Sequence, residues 1–146
     1  MRSVSRYGLI ATLAAGLVLV GTLALSHPVA STNTLHSVTP QGSSRKIVVV
    51  GTFTPGSEAA FGVDCGPAAG RPVSVVDETT STPFGTNQPT TAGGAYDTRT
   101  DTPDEGKLTS GSHTVHTVIQ GVVGGPYGAI HPCEDAVSNS LPVTIP

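Results

Sequence analysis

An all-β fold, a sandwich or a barrel, is what the sequence predicts, and three observations predict it. Short runs of β-branched residues recur along the chain, Gly and Pro punctuate them, and no helical period of useful length follows the apolar N-terminus. "RKIVVVGTF" (Arg45–Phe53) is apolar on both faces around Val48–Val50, as a strand buried in a packed sheet should be. "TPGSE" breaks it, and "AAFGVDCG" (Ala59–Gly66) is a second short strand candidate with Phe61, Val63 and Cys65 on one face. "RPVSVVDE" (Arg71–Glu78) alternates and is a third, with Pro72 tolerated at its start because a strand end or edge needs no donor there.

The polar, turn-rich Thr79–Gly94 reads as a long loop or irregular edge. "AYDTRT" (Ala95–Thr100) is a further strand candidate, "DTPDEGK" has the composition of a hairpin connection, and Lys107–Thr109 is a short pairing segment. A long strand is expected over Ser112–Val123. "GGPYG" then turns the chain, "AIHPCEDA" (Ala129–Ala136) brings Cys133 back, and "SLPVTIP" (Ser140–Pro146) ends it as an alternating strand.

The N-terminus has a different character. Arg2 and Arg6 precede an uncharged apolar run from Gly8 to Leu25, and small and polar residues follow. That order is the one a secretory signal helix has, so residues 1–31 are expected to be a leader. Cleavage is expected after Ser31, with Val29 and Ser31 in the small-residue positions, or after Ser26, with Ala24 and Ser26 there. An uncleaved membrane anchor is the alternative, and it would be the protein's sole membrane contact. Residues 32–44, "TNTLHSVTPQGSS", show no apolar period and are expected to be a flexible tether, leaving 45–146 as the domain.

Beyond residue 31 the chain carries five basic and ten acidic residues, a net charge of −5 with histidine neutral. The few bases are scattered, so a nucleic-acid footprint is not supported. The two cysteines, Cys65 and Cys133, both follow the leader. In an oxidising compartment such a pair forms one disulfide, whose long loop stabilises by roughly 4 kcal/mol in the chain-entropy model. Two free thiols acting as metal ligands are the competing reading.

His113, His116 and His131 are the metal candidates. On a strand, residues three apart point to opposite faces. His113 should therefore share a face with Val115, Thr117 and Ile119, and His116 with Thr114 and Val118. The two cannot hold one ion without a bulge between them, while His131 is free to join either. The acidic "DTRTDTPDE" (Asp97–Glu105) is either a calcium-binding turn or a solvated hairpin turn. No G-x-S-x-G elbow is present, and "GVVGG" lacks the lysine and helix of a phosphate loop.

"LTSGSHTVHTVIQGVVGG" (Leu108–Gly125), followed by "SNSLPVTIP" (Ser138–Pro146), resembles the end of bacterial Ig-like domains. "AAGRPVSVVDE" (Ala68–Glu78) resembles the G-x-P-V-x-V strand that these domains share with transthyretin-like modules, with Asp104–Gly106 as a loose version of their D-x-x-G turn. "YGAIHPCEDAV" and the cysteine pair depart from that pattern, and the absence of tryptophan excludes the antibody-type Cys…Trp…Cys arrangement. The resemblance implies an immunoglobulin-like β-sandwich serving as a spacer or adhesive unit. The expectation is an exported, non-enzymatic binding or structural module without a cofactor, secreted or at the cell envelope. Its partner would be an extracellular protein or cell-wall ligand, met through an edge strand or Thr79–Gly94. The alternative is a zinc-, copper- or calcium-binding envelope protein using His113, His116, His131 or the Asp97–Glu105 turn.

Overall fold

The computed structural model describes residues 27–101, 108–123, 125, 127 and 130–146. The expected leader up to Ser26 and the acids Asp104 and Glu105 lie outside the described residues. The fold is mostly β-sheet, with two single 3-10 turns as its helical content among the described residues. Ten strands are described: β1 (Thr32–Gln41), β2 (Lys46–Thr54), β3 (Ser57–Glu58), β4 (Val63–Asp64), β5 (Ser74–Asp77), β6 (Thr82–Gly85), β7 (Ala95–Arg99), β8 (Gly111–Ile119), β9 (Ala136–Val137) and β10 (Leu141–Ile145). One sheet has the order β1-β2-β7. A second has the order β10-β8-β5-β6, with β9 joined to the C-terminal end of β8, and β3-β4 form a two-stranded ladder. Every pairing between these strands is antiparallel.

Alternation decides what each strand contributes. Ile47, Val49 and Phe53 of β2, Val75 of β5, Val115 and Ile119 of β8, and Val143 and Ile145 of β10 point inward, so one apolar core draws on both larger sheets. Tyr96 of β7 is buried with them. Its ring lies over Gly51, where a side chain of any size would collide with the phenol. Glycine at that position is therefore a packing requirement.

Two expectations change, and one left open between alternatives is decided. Thr32–Ser44 is not a tether: β1 runs through Thr32–Gln41 and pairs with β2 along nearly its whole length, with a register shift between Leu35 and Ser37. Polar contacts hold it to the second sheet. Asn33 Nδ2 donates to the Thr117 carbonyl, the Thr117 hydroxyl and the Ala136 carbonyl, each at 3.1 Å. The Asn139 amide brackets Leu35, accepting from its N–H at 2.9 Å and donating to its C=O at 3.1 Å. Of the two readings of Thr79–Gly94, a long loop or an irregular edge, the second is the one observed: Thr82–Gly85 forms the edge strand β6 against β5, with Phe84 in the core and Pro83 tolerated because β6 is an edge. The strand expected over Ala59–Gly66 is instead the short β3-β4 ladder around a 3-10 turn at Ala59–Phe61.

The Tyr96 hydroxyl donates to Asn33 Oδ1 at 3.0 Å and lies 2.8 Å from the Thr117 hydroxyl. Burial pushes the phenol up, partly offset by the Thr117 contact, so it stays neutral and able to donate. Tyr96→Phe should leave the buried Asn33 oxygen without its donor and cost about 1–3 kcal/mol, read as a lower urea midpoint at unchanged slope.

Candidate metal centre

A second, smaller apolar cluster lies apart from the main core and consists of Val29, Val63, Cys65 and Cys133. Cys65 and Cys133 are joined by a disulfide, with their Cα atoms 5.7 Å apart. The pairing expected from the cysteine count is therefore present. Three segments are held together around it. Val29 bridges Cys133 in parallel: its N–H donates to the Pro132 carbonyl at 2.9 Å, and its carbonyl accepts from Glu134 N–H at 3.1 Å. Gly56 faces the Ala30 carbonyl so closely that a Cβ could not be accommodated, and its N–H donates to the Ser31 hydroxyl at 2.9 Å. Its own carbonyl accepts from Cys65 N–H at 2.9 Å. Buried Arg71 donates to the Cys65 and Gln120 carbonyls, which fastens this assembly to the end of β8.

These contacts bring together three side chains far apart in the chain. His27, Glu58 and His131 each offer a ligand atom, and all three atoms lie within 4.8 Å of one another. It is the one such grouping of His, Cys, Asp or Glu among the described residues. His27 Nδ1 is 3.7 Å from Glu58 Oε1. Ligands sharing one ion at about 2.1 Å stand roughly 3 to 4 Å apart, so small rotations of the exposed His27 and half-buried Glu58 would close the set.

His131 is the fixed member. It is buried, its ring stacks on Phe61 with centroids 4.1 Å apart, and its N–H donates to the Tyr127 carbonyl at 2.9 Å. Its Nδ1 lies 3.2 Å from the His27 carbonyl, an acceptor only, so Nδ1 is the donor in that contact and Nε2 is the nitrogen left to bind an ion. A backbone carbonyl in that role is a common way for a protein to set the tautomer of a metal-binding histidine. Phe61, Tyr127 and Ile130, on the same segments as Glu58 and His131, are exposed.

The other candidates fall elsewhere. His113 and His116 do take opposite faces of β8, the first buried and the second half-exposed. His113 Nδ1 meets Asp77 Oδ2 at 3.0 Å and its Nε2 meets the Thr109 carbonyl at 2.8 Å, so both ring nitrogens are occupied. His116 Nδ1 meets Glu78 Oε1 at 2.9 Å. Neither histidine joins His131. Asp97 is exposed on β7 and Asp101 follows it, while the rest of the acidic turn lies outside the described residues. Reading from residues alone missed His27, which falls within the expected leader, and Glu58, which falls in a strand break. The signal available was His27-Pro28 directly after the second cleavage position. No protein family, curated protein or solved structure matches this chain.

Burial pushes the Asp77 carboxyl up, but the Thr79 N–H, the His113 ring and the Thr80 hydroxyl together outweigh it and hold the group below its ordinary value. The Ser140 hydroxyl and His116 lower Glu78 as well. A carboxyl depressed in the folded chain favours folding above its unfolded value of about 3.9, and that advantage is lost as pH falls through the lowered one. The urea midpoint should therefore drop below about pH 4, and Asp77→Asn should make that drop shallower. Replacing Cys65 and Cys133 together by serine should cost about 2–4 kcal/mol in the same measurement.

Proposed function

We propose that this protein is an exported, immunoglobulin-like β-sandwich that binds a first-row transition-metal ion, copper or zinc, in the extracellular space or cell envelope. The ligands are His131, His27 and Glu58. One observation carries the reading: two imidazoles and a carboxylate converge beside a disulfide, with the tautomer of the buried imidazole set by a carbonyl. Imidazole suits both copper and zinc, and a carboxylate completes either set. The sandwich reading is supported by two antiparallel sheets that share one core, and export by a disulfide in a chain with a leader-like N-terminus. The protein acts in this reading as a binder, holding or passing on an ion, and the metal site replaces the Thr79–Gly94 surface as its working part.

Isothermal titration of the purified, oxidised protein with copper(II) and zinc(II) tests this. An ion at 100 times its Kd should stabilise the fold by about 2.7 kcal/mol. His131→Ala should weaken binding at least about tenfold, about 1.4 kcal/mol, whereas His116→Ala should leave it unchanged. If neither ion binds, or if the His131 variant binds as the parent does, the reading is wrong.

A further inference from the structure

We infer that export trims the chain after Ser26, so that His27 becomes the first residue, and that its new α-amine joins the two imidazoles in holding copper(II). This rests on the metal reading above and says how the site is completed.

Three observations lead to it. First, Ala24 and Ser26 supply the small side chains a leader peptidase requires before the scissile bond. Hydrolysis of the Ser26–His27 peptide bond adds OH to the Ser26 carbonyl and H to the His27 nitrogen. Second, cutting after Ser31 instead would remove structure. Val29 is buried in the small cluster, its N–H and carbonyl are both engaged, and the His27 nitrogen itself donates to the Ile130 carbonyl at 3.2 Å. The His27–Ser31 segment is part of the fold, and the cut at Ser26 preserves all of it.

Third, the chemistry of the new terminus fits the place where it is made. An amine and the Nδ1 of the same histidine close a six-membered ring on a metal ion, so the second bond forms intramolecularly. A neutral amine still has N–H groups to give the Ile130 carbonyl while its lone pair goes to the metal. Residue 28 is proline and has no N–H, so an ion cannot displace an amide proton there and continue along the backbone. The further ligands must come from across the fold, where His131 and Glu58 already stand. Three nitrogens and one carboxylate oxygen favour copper(II) over its divalent neighbours.

The test uses the full chain, exported with its own leader, beside the same mature protein with its α-amine acetylated. Intact mass should place the parent's first residue at His27, and an N-terminus at Thr32 or a retained leader overturns the inference. Both proteins should melt alike without metal. The parent should bind copper(II) at least about tenfold more tightly than the acetylated protein, about 1.4 kcal/mol. Equal affinities that both collapse on His131→Ala would sink the amine's role while leaving the side-chain site standing. No copper binding by either protein would sink the metal reading itself.

Discussion

The Cys65–Cys133 cross-link is the constraint on which the arrangement of the candidate site depends. Among the described residues, the main core does not reach these segments, and the small cluster around the disulfide holds just Val29 and Val63 besides the two half-cystines. So little apolar area cannot by itself order an N-terminal segment, a short ladder and the Cys133 segment against each other. A covalent link removes the entropy those segments would otherwise regain by separating, and the backbone bonds around Val29 and Gly56 then form at small cost. Arg71 extends the same logic inward. Its guanidinium, stacked 5.3 Å from the Phe53 ring centre, donates to carbonyls at both ends of the junction.

Elsewhere the fold is joined by polar contacts placed where apolar residues would be expected. Asn33, Tyr96 and Thr117 satisfy one another in the interior, and Ser138 adds a hydroxyl to the Thr117 N–H at 2.8 Å. Each buried donor or acceptor in such a set is costly when unpaired, so the network accepts one geometry and rejects slipped ones. For a chain with 4% aromatic residues, that specificity supplements a core built mainly of valine and isoleucine.

Those two devices also explain what was legible in the residues. Strands β5, β7, β8 and β10 carry their own alternation and β2 its continuous β-branched run, and the period of two correctly separated His113 from His116. The cysteine pair was legible because redox compartment and number leave few options. Strand β1 was not, since it has few apolar residues and is held through Asn33 and through Asn139, 104 positions away from Leu35. Strand β6 was legible only as one of two alternatives, an irregular edge, because Pro83 is a strand breaker that an edge alone accepts. Of the site, His131 alone was visible. His27 and Glu58 carry no local pattern, and what unites them with His131 is the pairing of segments around a cross-link, a property of the tertiary fold.

The parallel bridge between Val29 and Cys133 has a consequence for timing. It hangs the Val29 segment on the backbone of Pro132 and Glu134, so opening the disulfide would loosen the very segment on which Val29 is held. A precursor still inside the cell would then have thiols in place of the bond and, with its leader attached, an amide in place of the amine. On the proposed reading, crossing the membrane would itself be the activating event, and metal capture would be confined to the far side of it.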